Sequence, residues 1–255
     1  MKPITILLAA ALLTPAIAVV HPASVAAADA KALGAKVLEK IDQDAARHES
    51  VSYTAEMELW KSGSKQKTLQ FNMSMKGLHK QYIEFTAPGD VAGMKILMTD
   101  ADTIHMYSPE FKKVRHVAAH AEKQGFLGSE FTPEDMAMAA LSDRFDAELQ
   151  GKVGTETTLI LTPKQGVESS YTRLEVVIDS SKGGVTKLKY YDGSGTAVRE
   201  QLRGGWTKLD GVPFPTEIRM KNLKTGNETV IKLSNVDATT ELPDSLFSRR
   251  TLLRG

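Results

Sequence analysis

Three histidines and a glutamate are the residues whose types come closest to a metal site. His105, His116 and His120 occur in one stretch of the chain, and Glu122 follows them. Imidazole and carboxylate groups are common zinc ligands. Their spacing is loose, because His116 ends a predicted strand and His120 begins a predicted loop, so exposed histidines are the simpler interpretation. We predict no metal site and no other cofactor.

Two neighbouring acids, Glu134 and Asp135, have the residue types of a general acid–base pair. They follow Thr132 and Pro133, which are typical of the first turn of a helix. Acidic side chains are favoured there because they face the positive end of the helix dipole. We interpret this pair as structural.

Nucleophilic catalysis finds no support in the sequence. The chain contains no cysteine, and neither Gly128–Ser129 nor residues 193–195 fit the G-x-S-x-G nucleophile elbow. The glycines near 183 and 193 lie between predicted strands, which indicates hairpin turns rather than a phosphate-binding loop. We predict no catalytic residue and a protein that is not an enzyme.

A small basic group, Lys112, Lys113 and Arg115, lies next to Phe111. Two interpretations fit this group: a docking surface for an acidic partner or lipid head groups, or a strand edge that charge protects against pairing with another chain. The chain as a whole has 32 basic and 31 acidic residues, and no basic stripe is interleaved with aromatic side chains. We therefore expect no binding to nucleic acid.

Residues 1–30 have the pattern of a secretory signal peptide. Lys2 precedes an apolar run over residues 4–20, and small residues end the segment at Ala26–Ala28. Pro15 interrupts the run, which favours a cleaved leader over an uncleaved anchor helix. Without cysteine the chain has no attachment point for a bacterial lipid anchor. We predict that residues 31–255 are exported as one soluble domain.

The periodicity of apolar residues predicts a helix at each of two places and strands elsewhere. Apolar residues at helical spacing predict an amphipathic helix over residues 32–48, and a second helix is predicted over 132–141. Alternation with a period of two, or short apolar runs between glycine-containing turns, predicts the strands. The predicted strands cover residues 51–59, 69–75, 83–85, 94–98, 104–106, 114–116, 145–149, 155–161, 173–178, 185–191, 197–206, 212–220 and 229–236.

This order of elements predicts a mainly β fold with helices (α+β). We expect one strongly curved antiparallel sheet, an open half-barrel of about 11–13 strands, covered by the N-terminal helix and a central lid helix. Such a sheet leaves a concave apolar face that a helix or a ligand must cover.

Two sets of side chains are predicted to line that concave face. One lies on the sheet and comprises Tyr53, Met57, Leu59, Phe71, Met73, Met75, Ile83, Phe85, Met94, Ile96, Met98, Ile104 and Met106. The other lies under the lid and comprises Phe126, Leu127, Phe131, Met136 and Met138. The methionines fit either a surface that adapts to a ligand or a filled core.

Two motifs carry a resemblance to a known family. Tyr107, Pro109, Lys112 and Arg115 give the run Y-x-P-x-x-K-x-x-R, and residues 128–131 form a Gly-Ser-acid-Phe segment that leads into a helix. Residues 206–215, from a tryptophan to a Val-Pro-Phe-Pro turn, extend the similarity. The chain resembles the outer-membrane lipoprotein-sorting proteins, the LolA-like group.

The resemblance implies a periplasmic carrier that binds acyl chains of a lipid or lipoprotein in an apolar cavity. It also implies an inner-membrane transporter and an outer-membrane acceptor as partners, transient membrane contact and a monomer. The arginine that holds the lid closed in the lipoprotein carrier has no match here, which leaves lipoprotein and free lipid open as cargo. The alternative is an interaction or sensor module of an envelope transporter or stress-response system.

Overall fold

The computed structural model describes residues 23–100, 102–118, 125–138 and 140–253. Most of the predicted leader lies outside these residues, as do His120 and Glu122. The helices are α1 (Ala23–Ala45), α2 (Pro133–Ala137), α3 (Leu141–Arg144) and α4 (Arg249–Leu252), with 3-10 turns at Phe126–Gly128 and Asp244–Phe247. No helix among the described residues is long and apolar enough to cross a membrane.

The strands follow in order along the chain. They are β1 (Ser50–Lys61), β2 (Ser64–Lys76), β3 (Lys80–Ala87), β4 (Lys95–Met98), β5 (Thr103–Ser108), β6 (Lys113–Ala118), β7 (Phe145–Val153), β8 (Glu156–Pro163), β9 (Arg173–Asp179), β10 (Gly184–Tyr191), β11 (Ala197–Gly204), β12 (Thr207–Leu209), β13 (Val212–Phe214), β14 (Glu217–Asn222) and β15 (Glu228–Asp237).

Thirteen of the described strands form one antiparallel, curved and unclosed sheet, which confirms the predicted fold class. The strand order is β6-β5-β4-β3-β2-β1-β15-β14-β11-β10-β9-β8-β7. The chain therefore builds one half of the sheet, crosses through the lid segment (residues 125–138), and builds the other half from its far edge inwards. Pairing of β1 with β15 joins the two halves.

The short strands β12 and β13 leave the main sheet and form a hairpin of their own, which we call the β12–β13 hairpin. Its turn places Asp210 at φ 45° and Gly211 at φ 82°, the left-handed conformation that hairpin turns of this kind require. The prediction of one strand over 212–220 is wrong, because this segment forms two strands, β13 and β14. Pro215 separates them, since proline lacks the N–H that a strand ladder needs.

The concave face of the sheet carries two apolar clusters. The first includes Met57, Phe71 and Phe85 of β1–β3, and the second includes Leu38 of α1 and Leu159 of β8. Met136 of α2 and Ile231 of β15 pack against both clusters. These two residues therefore mark the seam between the halves of the sheet.

Two predictions about the helices need correction. The predicted helix 132–141 is two short helices, because Met138 leaves the helical conformation at φ −82° and ψ 68°. The expectation that helices occur only at the start and in the middle is also wrong. Phe247 and Leu252, from the C-terminal helical segment, pack with Tyr82 and Leu97 on the convex face.

Candidate functional site

An apolar cavity of about 710 Å³ lies on the concave face. Its walls are α1, strands β1–β3, the lid segment, the β12–β13 hairpin, and parts of β9–β11, β14 and β15. A volume of this size lies in the range of small-molecule sites. The cavity is therefore large enough to bind a small-molecule ligand between the sheet and the helices.

The β12–β13 hairpin closes one side of the cavity because two glycines allow it to approach. A Cβ atom on Gly184 would lie 3.0 Å from the ring of Trp206, and one on Gly183 would overlap the ring of Pro213. Gly183 also has φ 77°, as the β9–β10 turn requires. Gly183 and Gly184 thus allow the β12–β13 hairpin to pack closely against the β9–β10 turn, and Gly183 also allows the positive φ of that turn.

The lid segment is held by hydrogen bonds from its own helix start. Thr132 and Asp135 form a capping box at α2: the Asp135 N–H donates to Thr132 Oγ1 at 3.2 Å, and the Thr132 N–H donates to Asp135 Oδ2 at 2.8 Å. The predicted helix start is confirmed. The same carboxylate then bonds outward to the sheet.

The side chain of Asp135 is fully buried and lies beside a cation. Tyr171 Oη donates to Asp135 Oδ1 at 2.7 Å, and Arg199 Nη1 lies 3.6 Å from Asp135 Oδ2 while donating to Tyr171 Oη at 2.6 Å. Burial raises the pKa of Asp135, and Arg199 and the hydrogen bonds oppose that shift. Burial also raises the pKa of Tyr171, so its hydroxyl stays protonated and can donate.

Two further acids attach the lid segment to neighbouring strands and loops. Glu134 accepts hydrogen bonds from the Ser169 hydroxyl at 2.5 Å and the Ser170 N–H at 2.9 Å. Glu130 accepts one from Asn222 Nδ2 at 2.9 Å. Because the carboxylates of Glu134 and Asp135 are used in this way, the structural interpretation of that pair agrees with their surroundings.

Comparison with known proteins identifies a family and a fold for this chain. A family model described as "Uncharacterized protein" matches residues 77–254. The chain belongs to this family. Its fold is that of the LolA-like outer-membrane lipoprotein-sorting proteins, as the resemblance in its sequence implied. No curated protein matches the chain.

Three solved structures show the likeness in fold. A DUF1329 family protein from Desulfovibrio piger has 24% identity and a TM-score of 0.81, covering 88% of this chain and 99% of that one. A domain named for outer membrane lipoprotein sorting, from Vibrio parahaemolyticus, has 21% identity and a TM-score of 0.80 over 88% and 100%. A LolA superfamily protein from Nitrosomonas europaea has 19% identity and a TM-score of 0.71 over 86% and 99%.

The predicted cavity residues divide into two halves. One half lines the cavity: Tyr53, Met57, Phe71, Met73, Met75, Ile83, Phe131, Met136 and Met138. The other half does not line it and packs within the first apolar cluster: Leu59, Phe85, Met94, Ile96, Met98, Ile104, Met106, Phe126 and Leu127.

Several lining residues were missed by the sequence prediction. They come from α1 (Leu33, Val37, Ile41), from β11 (Gln201, Arg203) and from the hairpin region (Trp206, Val212, Phe214). The motif over 206–215 was a signal for the last group, because a tryptophan and a Val-Pro-Phe-Pro turn are too apolar for an exposed hairpin. The polar residues of β11 gave no signal of their own.

The basic group and the histidines lie elsewhere. Lys112, Lys113 and Arg115 are exposed at the β5–β6 turn and on β6, and Phe111 beside them is 66% exposed. His105 and His116 pair across β5 and β6 with ring centroids 5.4 Å apart. Within the described residues no group of histidines and acids could hold a metal ion.

Proposed function

We propose that the protein is a periplasmic, non-enzymatic carrier that binds acyl chains of a lipid or lipoprotein and passes them between envelope membrane partners. The observation that carries the proposal is the cavity of about 710 Å³, whose wall holds flexible methionines and aromatic side chains. Such a surface adapts to chains of differing shape. The fold shared with lipoprotein-sorting proteins supports the same reading.

Burial of methylene groups supplies the affinity of such a carrier. Ten buried methylenes contribute about 8 kcal/mol, which corresponds to a dissociation constant of about 1 μM before the cost of opening the lid is subtracted. Release then requires a competing apolar site on the acceptor. No covalent step is needed at either stage.

Export is part of the proposal. Residues 1–30 act as a cleaved signal peptide, and residues 31–255 form the mature domain. Helix α1 begins at Ala23, so cleavage at this boundary removes its first turns but keeps Gly34 and Leu38, which face β7 and the second apolar cluster. The carrier then works as a monomer with transient membrane contact.

The experiment is native mass spectrometry of protein purified from the periplasm, followed by titration with a fluorescent fatty acid. An acyl-containing species should copurify and the fatty acid should bind. Met75→Trp fills the cavity and should weaken binding, whereas Met94→Trp changes a half-buried methionine that does not line the cavity and should leave binding intact. Absence of both a copurifying species and fatty-acid binding rules out the carrier.

The alternative is an interaction or sensor module of an envelope transporter or stress-response system. The observation that favours it is the exposure of Phe111 together with Lys112, Lys113 and Arg115, an aromatic side chain among cations that contact no described acid. Charge reversal at the three basic residues separates the two functions. A sensor loses its partner protein in a pull-down, while a carrier keeps its lipid.

A further inference from the structure

Three polar side chains form a column along the concave face of β11. Arg199, Gln201 and Arg203 alternate with residues of the opposite face, as the strand period requires. Polar groups on an otherwise apolar face need partners, because burial of an unmatched charge or donor costs free energy. The two arginines of this column differ in the partners that the chain provides.

Arg199 has a carboxylate partner, and Arg203 has none among the described residues. The guanidinium of Arg199 lies beside Asp135 and Tyr171. Arg203 Nε donates to Gln201 Oε1 at 2.9 Å, and Gln201 Nε2 donates to Tyr190 Oη at 3.3 Å. In the described part of the chain, the Nη atoms of Arg203 have no acceptor, although a guanidinium offers five N–H donors.

Arg203 lines the cavity and is half-buried there. Burial lowers the pKa of its guanidinium, and the nearby Tyr190 opposes this shift. The neighbouring lining residues Trp206, Phe214 and Ile218 are apolar and supply no counter-charge. The cavity therefore contains a cation with free hydrogen-bond donors beside a surface suited to hydrocarbon.

The other charged residues of the cavity wall have different surroundings. Lys40 and Asp44 of α1 pair with each other, and Lys36 is exposed on the same helix, so water solvates it. Asp135 is already paired with Arg199. Of the lysine, arginine and aspartate side chains at the wall, the Arg203 guanidinium is the half-buried one that has no charged partner among the described residues.

We propose that the cavity binds acyl-chain amphiphiles with an anionic oxygen head group, which Arg203 holds through its Nη donors. This proposal rests on the proposed carrier function and names its ligand class. Carboxylate and phosphate groups share the required chemistry, since both accept two hydrogen bonds from one guanidinium. An acyl chain joined through an uncharged ester lacks that interaction.

The two tryptophans of the sequence make the test direct, because Trp206 lines the cavity and Trp60 does not. In a Trp60→Phe background, Trp206 fluorescence reports contact with brominated acyl chains, which quench it. The ligands are dibromostearate, its methyl ester, and a lysophosphatidic acid with the same chain. A Trp206→Phe variant that keeps Trp60 measures quenching from outside the cavity.

We expect dibromostearate, the lysophosphatidic acid or both to bind at least about tenfold more tightly than the methyl ester, the effect of one charge-assisted hydrogen bond. Arg203→Gln should remove this preference without weakening the ester, and Arg203→Lys should keep part of it. Arg219→Gln is the matched control, because Arg219 lies on the neighbouring strand β14 outside the cavity wall, and it should leave the preference unchanged. Which anion binds more tightly distinguishes a carboxylate from a phosphate source.

Two results overturn the proposal in distinguishable ways. If the ester binds as tightly as both anions and Arg203→Gln changes nothing, the head-group site is refuted while the acyl carrier stands. If no ligand quenches Trp206, the carrier itself fails and the head-group site fails with it. The ester titration of Arg203→Gln serves as the folding control, since a misfolded variant loses the ester as well.

Discussion

Replacing Asp135 by asparagine tests whether the lid segment is fastened to the sheet by charge. The substitution keeps the size of the side chain and removes the negative charge beside Arg199. It also replaces one acceptor oxygen by an NH₂ group, so the amide cannot accept from both the Thr132 N–H and the Tyr171 hydroxyl, which lie 2.8 and 2.7 Å from the two carboxylate oxygens.

The expected loss follows from the burial of both partners. The side chain of Asp135 has 0% exposure and that of Arg199 has 13%, so solvent screens the pair little. Breaking a buried pair by removing one partner costs about 3–5 kcal/mol. Burial raises the pKa of Asp135, which means that its own charge is costly in the fold and that asparagine avoids this cost. We therefore expect the lower end of that range, about 3 kcal/mol.

The assay is urea denaturation followed by tryptophan fluorescence, with a double-mutant cycle. Arg199→Met in the Asp135→Asn background should recover part of the loss, because it removes the buried cation that no longer faces the Asp135 carboxylate. Glu134→Gln is the matched control, since Glu134 is also buried but, among the described residues, bonds to a serine hydroxyl and a backbone amide and to no cation. We expect a loss of about 1–2 kcal/mol. Additive single losses, or a loss below about 1 kcal/mol for Asp135→Asn, would refute the charge argument.

Three other predictions concern glycines and a turn. Gly34→Ala should destabilise the protein by about 1–2 kcal/mol in thermal unfolding, because the added Cβ would lie 2.7 Å from a β7 carbonyl oxygen. This loss is expected although alanine favours a helix more than glycine does. A gain in stability would contradict the close approach of α1 to β7. Gly125→Ala should disorder the lid segment, seen as faster amide exchange there, since its Cβ would overlap the Ser129 carbonyl. The Ser194 hydroxyl and neighbouring groups lower the pKa of Asp192 from 3.8 to about 2. The ionised Asp192 carboxylate should therefore stabilise the β10–β11 turn fully above pH 4, and this stabilisation should be lost as the pH falls through 2. An NMR titration of Asp192 with a midpoint near 4 would contradict the lowered pKa.

The alternation of apolar and polar residues along a strand is a local property of the sequence, and it was enough to predict most of the sheet. In β1, Ala55 and Met57 are buried and Glu56 between them is exposed, as the period of two requires. The C-terminal helical segment was missed because its apolar residues are few and follow Pro243 closely. Its packing on the convex face depends on Tyr82 and Leu97, which lie far away in sequence.

The cavity was harder to predict than the sheet, because its shape is a tertiary property. Met73 and Met98 have the same residue type and lie on the same concave face, yet only Met73 lines the cavity. Met98 is instead enclosed within the first apolar cluster, where it has 0% exposure. Arg203 gave no signal in the sequence, because an arginine in a strand is usually exposed and the missing carboxylate is a fact of packing.

The unclosed sheet also bears on how copies of the protein meet. Its two edges, β6 and β7, carry exposed charges of opposite sign, Lys113 and Arg115 on one and Asp146 and Glu148 on the other. Pairing between two identical edges brings like charges opposite each other, which opposes it. Dissolved salt screens this repulsion over distances beyond about 10 Å at 0.1 M. Protection against pairing between identical edges is therefore electrostatic, and it weakens as ionic strength rises.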